Sequence, residues 1–587
     1  MIEIPTPDPA FQTVSDYFAD WLVRRGIERV FTLPGGMIAP LLDAIYRRGV
    51  QIVTMHHEQG VAFAADGVGR YTATPGVALA TAGPGATNML TAIGSAYLDS
   101  VPSVFLTGQV QSYLLKGERP VRQYGFQECD VVAMATPVTK AAWRAGAGSE
   151  VPDLLDEAFE LAISGRPGPV LLELPSDIQT AAVPAGRRPR AAVPKPSYED
   201  SGILAAILAD AAAARRPLAL LGGGVQAAGA AERCRQFLER LGIPAATSVT
   251  ALDVLSADHP LRLGMIGMYG NRWVNLAVEE SDFVLVLGSR LDFGTLGADV
   301  AGWASRRTVY QVDCDPGEMQ RVRGVHPIEA DLGAFLDAAA DTAKAAVASP
   351  DRTEWARRLA GLRAQWPDEA ELAGCPGINP NVLMQELSAV SGPAAAFVVD
   401  AGQHLWWACQ SIRPAAGQRF LPALGMGPCG WALPAAVGVA HASGRPVVLI
   451  CGDGAFQFNI QELQTVVRDR LPVKIVLVDN GCHGSVRQLQ EAAFEGRYPS
   501  TVLGYSAPDF VAVADAYGLD AATVEDPSKT AEALRWLWRD PDRPALLQVR
   551  ISQELNVYPN VAFGAPLTRM ESYSPTPAAV RHAGADR

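Results

Sequence analysis

Short apolar runs that end in glycine, aspartate or proline and then give way to helical stretches recur along the whole chain. ERVFTL is followed by PGG and an apolar helix expected over 37–46. QIVTM is followed by a helix opening near His56, and GVALAT by AGPGATN and a helix expected over 89–98. Runs this short, apolar throughout rather than alternating, read as parallel strands covered by helices on both faces. VPSVFLTG and PVLLELP extend the first such unit. PLALLGGG, DFVLVLGSR and TVYQVDCDP form a second, and AAAFVVDAGQ, RPVVLICGDG and PVKIVLVDNG a third. The expected fold is therefore α/β, with three doubly wound parallel-sheet domains. Open sheets of this kind bind ligands beyond the carboxyl ends of their strands, so the residues just after each strand are where chemistry is to be sought.

A length of 587 residues accommodates this organisation, at roughly 100–200 residues per domain. Boundaries are expected at 1–182 for the first domain, 199–370 for the central one and 371–565 for the third. A linker is expected over 183–198, within the Pro-, Arg- and Ala-rich stretch AAVPAGRRPRAAVPKPS (181–197) and Tyr198, and a Pro- and Ser-rich tail over 566–587. The formal charge of −13 argues against a nucleic-acid partner. No run approaches the ~20 apolar residues of a membrane helix, and MIEIPTPDPAF lacks the basic and apolar regions of a signal peptide. Eight scattered cysteines contain no C-x-x-C pair and read as reduced, mostly buried thiols of a cytoplasmic protein.

Two strand ends stand out. Gly452-Asp453-Gly454 closes RPVVLICGDG, and Asp479-Asn480-Gly481 closes PVKIVLVDNG, 27 residues later. That is the length of one strand–helix–strand repeat, so adjacent parallel strands bring Asp453 and Asn480 to one sheet edge. A carboxylate and an amide oxygen suit Mg²⁺, which also takes phosphate oxygens and water. Gly452 and Gly454 let a diphosphate approach the backbone, and a helix after Gly454 turns its N-terminus toward it. The alternative is a tight turn with an aspartate cap, followed by an unrelated asparagine turn.

With these residues the chain resembles thiamine-diphosphate-dependent enzymes, whose signature is GDG followed one repeat later by an asparagine pair. Here the first member of the pair is Asp479; the ligating second member, Asn480, is present. The resemblance implies a third metal ligand in the main-chain carbonyl of Cys482, with Ala455, His483 and Gly484 beside the diphosphate. MHHEQGVAFAADGVGRYTATPGVALATAGPGATN resembles the pyrimidine-binding domain of acetolactate (acetohydroxyacid) synthases. Glu58 then becomes the carboxyl group that hydrogen-bonds N1′ of the aminopyrimidine, so that the 4′ nitrogen takes the C2 proton. Gly35, Pro84 and Asn88 fall on cofactor-binding positions. Without the resemblance, Glu58 reads as a first-turn residue favoured by the helix dipole; His56 and His57 read as structural. VVDAGQHLWWA places Gln403 and His404 on the diphosphate. In LGMGPCGWALPAAVG, Gly427 matches the carbonyl that accepts from the 4′ amino group. Cys429 replaces the bulky apolar residue that bends the cofactor, as a small buried hydrophobe.

The resemblance extends to the other segments. In GFQECDVVAMATPVTK, Gln127 falls on an active-site glutamine. DHPLRLGMIGMYGN and LGSRLD are typical of the branch whose central, Rossmann-like domain binds FAD. Gly223, Gly224, Met265, Gly267, Arg290, Asp313 and Asp331 would hold it; a degenerate domain with no ligand is the alternative. Around the acceptor the chain departs from the family. GSVRQLQ carries Val486 and puts Leu489 where a tryptophan stands, and LPSDIQT puts Ser176 where a lysine stands. Losing a ring and a cation favours an acceptor bulkier than, or without the charge of, a second small 2-keto acid. KGERPVRQYGFQE is similar to the same stretch in enzymes that attach an acetyl branch to nucleotide-linked keto sugars. The expected function is a carboligase that decarboxylates a 2-keto acid, pyruvate foremost, and transfers the acyl carbanion to a carbonyl acceptor. Acetolactate synthase proper, a non-oxidative decarboxylase, a flavin-linked oxidase and a non-catalytic relative are the alternatives. The resemblance also implies a homodimer or homotetramer whose sites lie between the first domain of one subunit and the third of its partner.

Overall fold

The computed structural model describes residues 11–184, 196–298, 300–342, 351–562 and 564–574. Its framework is three six-stranded sheets, each parallel throughout. The first runs Gln51–Thr54, Arg29–Thr32, Gly76–Ala80, Ser103–Gln109, Pro169–Pro175, Ala141–Arg144. The third runs Arg419–Pro422, Ala396–Val399, Val447–Gly452, Val473–Asp479, Ala545–Arg550, Ala521–Val524. Numbered along the chain, both have the order 2-1-3-4-6-5. The central sheet runs Arg262–Met265, Ala245–Thr247, Pro217–Leu221, Phe283–Leu287, Thr308–Asp313, His326–Glu329, which is the order 3-2-1-4-5-6 of dinucleotide-binding folds. Each sheet therefore has a point where the winding reverses. In the first and third it lies between the first and third strands; in the central sheet it lies between the first and fourth.

The first and third domains share one core. The helix Glu58–Thr72 lies against the helix Ala432–Ser443, and Phe31, Phe63 and Ile93 pack in one cluster with Trp431, Val437 and Leu449. The sequence ALPAAVGVAHAS explains the close approach, because small side chains let the two backbones meet. A Cβ on Gly438 would stand 2.1 Å from the Ala64 carbonyl oxygen, and one on Gly67 would stand 2.6 Å from that of Ala435. A second cluster joins Val249, Leu252 and Met265 of the central domain to the third.

Parts of the expected linker and tail are built into the fold. Ala182–Pro184 pairs antiparallel with Phe11–Thr13, and Tyr198 packs edge-on against Phe335 at 5.4 Å. Linker residues 185–195 lie outside the described residues. Met570–Glu571 pairs with Asn560–Val561, and Arg272 takes the carbonyls of Met570 and Glu571 at 3.1 and 2.9 Å. Leu567 is buried beside the central sheet, so the start of the tail covers that domain; residues 575–587 lie outside the described set.

Candidate functional site

One cluster of expected site residues lies at the carboxyl edge of the third sheet, across its third and fourth strands. Gly452 pairs with Val478 across adjacent strands, which sets Asp453 beside Asn480. The Asn480 backbone N–H donates to the Asp453 carboxylate, and the Tyr505 hydroxyl donates to Asp453 Oδ2 at 2.5 Å. Burial, reinforced by the charge of Asp479, pushes Asp453 up to about 6. The Asn480 amide donates to Gln403 Oε1 at 3.1 Å, and its oxygen accepts the Cys482 N–H at 3.2 Å. The Cys482 carbonyl accepts one bond, from the Gly484 N–H at 3.0 Å, leaving its second lone pair for another partner. Gly484 is required here, since a Cβ would fall 2.0 Å from Gln403 Oε1. Gln403 opens the helix Gln403–Ser411 and donates to Gln488 and to the Leu555 carbonyl, both at 3.1 Å.

His404 is buried against Gly402 and Gly452, and its Nε2 has no hydrogen-bond partner. Burial drives its pKa down to about 4, so the ring is neutral near pH 7. A buried orphan nitrogen is costly and fits a ligand that supplies a partner. Ala455 is buried directly after Gly454, and the His483 ring meets Tyr505 edge-on at 4.7 Å. Among the described residues no three His, Cys, Asp or Glu side chains form a metal cluster. The donors at this edge are one carboxylate, one amide oxygen and one carbonyl, a hard-oxygen set that fits Mg²⁺ with phosphate oxygens.

The helix expected after Gly454 is not continuous. One turn, Asp453–Phe456, is followed by a 3-10 stretch, Gln457–Glu462, and a further short helix, Leu463–Arg468. The break falls at Asn459 (φ −132°), whose amide donates to the Gly430 carbonyl at 2.8 Å and to Gln59 Oε1 at 3.0 Å. Glu462, also buried, accepts the His56 N–H at 3.0 Å. His57 caps the following helix, its Nδ1 accepting the Gln59 N–H at 3.0 Å, in keeping with structural roles for this pair.

In the first domain, beyond the edge strand Gln51–Thr54, Glu58 is the first residue of its helix and only 8% exposed. Asn88 donates to Glu58 Oε2 at 2.8 Å. Gly35 lies against Thr81, with no room for a Cβ, and Pro84 starts the turn Pro84–Asn88. The Gln127 backbone (φ +67°) covers Gly83, where a Cβ would come 2.9 Å from the Gln127 carbonyl. Gln127 thus joins the Glu58 end. Ser176 follows the strand Pro169–Pro175, with its hydroxyl buried and without a partner. Val486 and Leu489 are exposed on the helix Gly484–Ala493. Glu58 and Gln127 are held within the first domain; Asp453, Val486 and Leu489 belong to the third.

One expectation fails for Cys429. It is exposed, not buried, in a loop where Met426 and Gly427 are exposed too. Gly427 and Gly430 flank it at positive φ (+66° and +81°). All eight cysteines are free; four are buried and three half-buried.

A cavity of about 1250 Å³ opens where the central domain meets the other two, and all seven residues expected to hold a flavin line it: Gly223, Gly224, Met265, Gly267, Arg290, Asp313 and Asp331. It sits at the reversal point of the central sheet, where two turns cross so tightly that a Cβ on Gly222 would stand 2.1 Å from the Gly288 carbonyl oxygen. Burial raises Asp313, Asp331 caps a helix by accepting the Ala334 N–H at 2.9 Å, and Arg290 pairs with Asp292 at 3.2 Å. Two features of the wall carry no sequence motif: Trp406 stacked on Tyr269 at 4.6 Å, and Arg166 bridging to Asp315 and Glu318 at 2.8 Å.

Comparison with known proteins agrees with this geometry. Residues 12–134 match the thiamine pyrophosphate enzyme N-terminal TPP binding domain, residues 204–339 the central domain, and residues 400–549 the C-terminal TPP binding domain. The chain is 37% identical to the acetolactate synthase isozyme 2 large subunit of Escherichia coli, over 94% of this chain and 98% of that one. It is 36% identical to the acetolactate synthase large subunit of Corynebacterium glutamicum, over 91% and 86%. It is 32% identical to that of Lactococcus lactis, over 92% of each. The chain belongs to the thiamine pyrophosphate-dependent enzymes, in the acetolactate synthase-like family.

Proposed function

We propose that this protein is a carboligase that decarboxylates pyruvate and transfers the two-carbon acyl unit to a specialised carbonyl acceptor. The observation that carries the reading is a pair of sites at the carboxyl edges of two sheets of like strand order: Glu58 fixed by Asn88 in the first, and Asp453 beside Asn480 in the third. Bound thiamine pyrophosphate supplies the electron sink for decarboxylation and carbon–carbon bond formation. Asn88 occupies one oxygen of Glu58, so the other is free to hold a proton on the pyrimidine. Asp453, Asn480 and the Cys482 carbonyl would hold Mg²⁺ and neutralise the diphosphate's charge, with Gln403 and His404 alongside. Gln127 orients donor and acceptor. Ser176, Val486 and Leu489 leave an acceptor pocket without a large ring or a cation.

FAD is assigned to the large cavity on the strand order of the central sheet and the seven residues on its wall. A flavin there is structural in this reaction, since carboligation needs no net electron transfer. A homodimer or homotetramer completes each site, the first domain of one subunit facing the third of its partner. No helix of the described residues is long and apolar enough to cross a membrane; eight unpaired thiols favour the cytoplasm.

The test is product identification after incubation with pyruvate and a panel of 2-keto acids and keto sugars. An acetyl-branched product from a keto sugar is expected. Exclusive, efficient acetolactate formation would instead establish the second reading, acetolactate synthase proper, which the 37% identity to such a subunit favours. Stoichiometric aldehyde without acceptor would indicate a decarboxylase, and bleaching of the flavin by pyruvate an oxidase.

A further inference from the structure

The loop between Pro422 and Ala432 carries two of the residues assigned to the cofactor, Gly427 and Cys429, and charged side chains of the first domain grip it on both sides of them. Upstream, Asp99 accepts the Leu424 N–H at 3.0 Å and the Gly425 N–H at 2.7 Å. Arg70 pairs with the same Asp99 at 2.8 Å and donates to the Pro422 carbonyl at 2.9 Å. Downstream, the Trp431 indole N–H donates to Asp66 at 2.5 Å, and Asp66 in turn pairs with Arg70 at 2.7 Å. The guanidinium lies 5.0 Å from the Trp431 ring centroid. The side chains of Asp66, Arg70 and Asp99 are at most 7% exposed. Between the two grips, Met426, Gly427 and Cys429 are exposed.

Charge-assisted bonds in a dry setting are short, strong and directional. A stretch with glycines at positive φ on either side of Cys429 has many conformations open to it. Where such a stretch is not fixed in advance, a ligand must order it on binding, at the expense of affinity. We infer that Asp99 and Arg70 are positioning residues for thiamine pyrophosphate: from the first domain, they fix the third-domain loop that meets the middle of the coenzyme. Neither touches the coenzyme positions assigned above. Both line the large cavity, as do Pro422, Leu424 and Gly425, so the grip on the loop forms part of that cavity's wall.

The test compares thiamine pyrophosphate binding, with excess Mg²⁺, to the full-length protein and to Asp99→Asn and Asp99→Ala. Binding is read by quenching of intrinsic fluorescence and by the circular-dichroism signal of the bound coenzyme. Asp156→Asn serves as a control for lost stability. That residue is also buried in the first domain, pairs with Arg25 at 2.7 Å and accepts from Trp21, far from the loop in its contacts. The expected result is a graded loss of affinity, several-fold in Asp99→Asn and roughly tenfold to a hundredfold in Asp99→Ala. A weakened dichroic signal at saturation is expected in both, and parent-like binding in Asp156→Asn. Thiamine pyrophosphate affinity and dichroism unchanged in both Asp99 variants, or lost equally in Asp156→Asn, would overturn the inference.

Discussion

Asp453 answers to several demands at once. It takes the Asn480 N–H and the Tyr505 hydroxyl at 2.5 Å, and its remaining lone pairs are the ones assigned above to the proposed metal. Partners of this outer kind orient a ligand, and their loss typically costs about 10–100-fold in metal affinity. Tyr505→Phe is therefore expected to raise the Mg²⁺ concentration needed for thiamine pyrophosphate binding by that factor, read in a Mg²⁺ titration by fluorescence. Because burial raises Asp453 to about 6, protons compete with the metal once the pH falls through that value. Mg²⁺ affinity is expected to be flat from pH 8 to about 7 and to weaken progressively below about 6. At the acceptor, Leu489→Trp restores a ring to the pocket and is expected to shift the ratio of acetolactate to keto-sugar product upward in competition assays. Asp453, Asn480 and Gln403 stand out in the sequence because each follows a strand in a glycine-marked turn; Glu58, whose turn holds no glycine, stands out only through the resemblance of its segment. Tyr505, Asn459 and Glu462 do not stand out. Their partners at the site lie 29 to 406 residues away in the chain, and no local pattern encodes contacts of that range.

Among the elements, the crossing of Glu58–Thr72 with Ala432–Ser443 does the most to place the site. It sets the start of the Glu58 helix beside the stretch carrying Asn459 and Glu462. The glycines at the crossing make a testable contrast. Gly438→Ala drives a methyl into the Ala64 carbonyl, and overpacking of this kind costs about 1–3 kcal/mol. Gly361→Ala, in the exposed helix Thr353–Gln365, meets nothing within 4 Å and is expected to stabilise by roughly 0.5–1 kcal/mol. Urea unfolding midpoints of the two variants, moving in opposite directions from the parent, would bear this out. Helix starts were readable from caps and glycine turns. The break after Gly454 was not, because its cause is a side chain bonding across the domain interface.

For the molecule as a whole, two sheets of like strand order lie in the two domains that match TPP binding domains, and a third of dinucleotide-binding order stands beside them over a large cavity. The three-sheet plan was visible in the sequence, since alternating strands and helices dictate parallel sheets, and the seven residues named in the central domain line one cavity. The identity of the acceptor was not visible, because it depends on surfaces where Val486 and Leu489 are exposed. If partner subunits complete the sites, dilution should lower thiamine pyrophosphate binding and activity together, in step with dissociation seen by analytical ultracentrifugation. Full activity in the monomer would refute that assembly. The most direct test of the whole account is the turnover of Glu58→Gln with pyruvate, at saturating thiamine pyrophosphate and Mg²⁺. Glutamine keeps the shape and the bond from Asn88 but carries no titratable carboxyl group. The expected result is retained coenzyme and a fall in kcat of roughly 10²–10⁴-fold; turnover equal to that of the parent would contradict it.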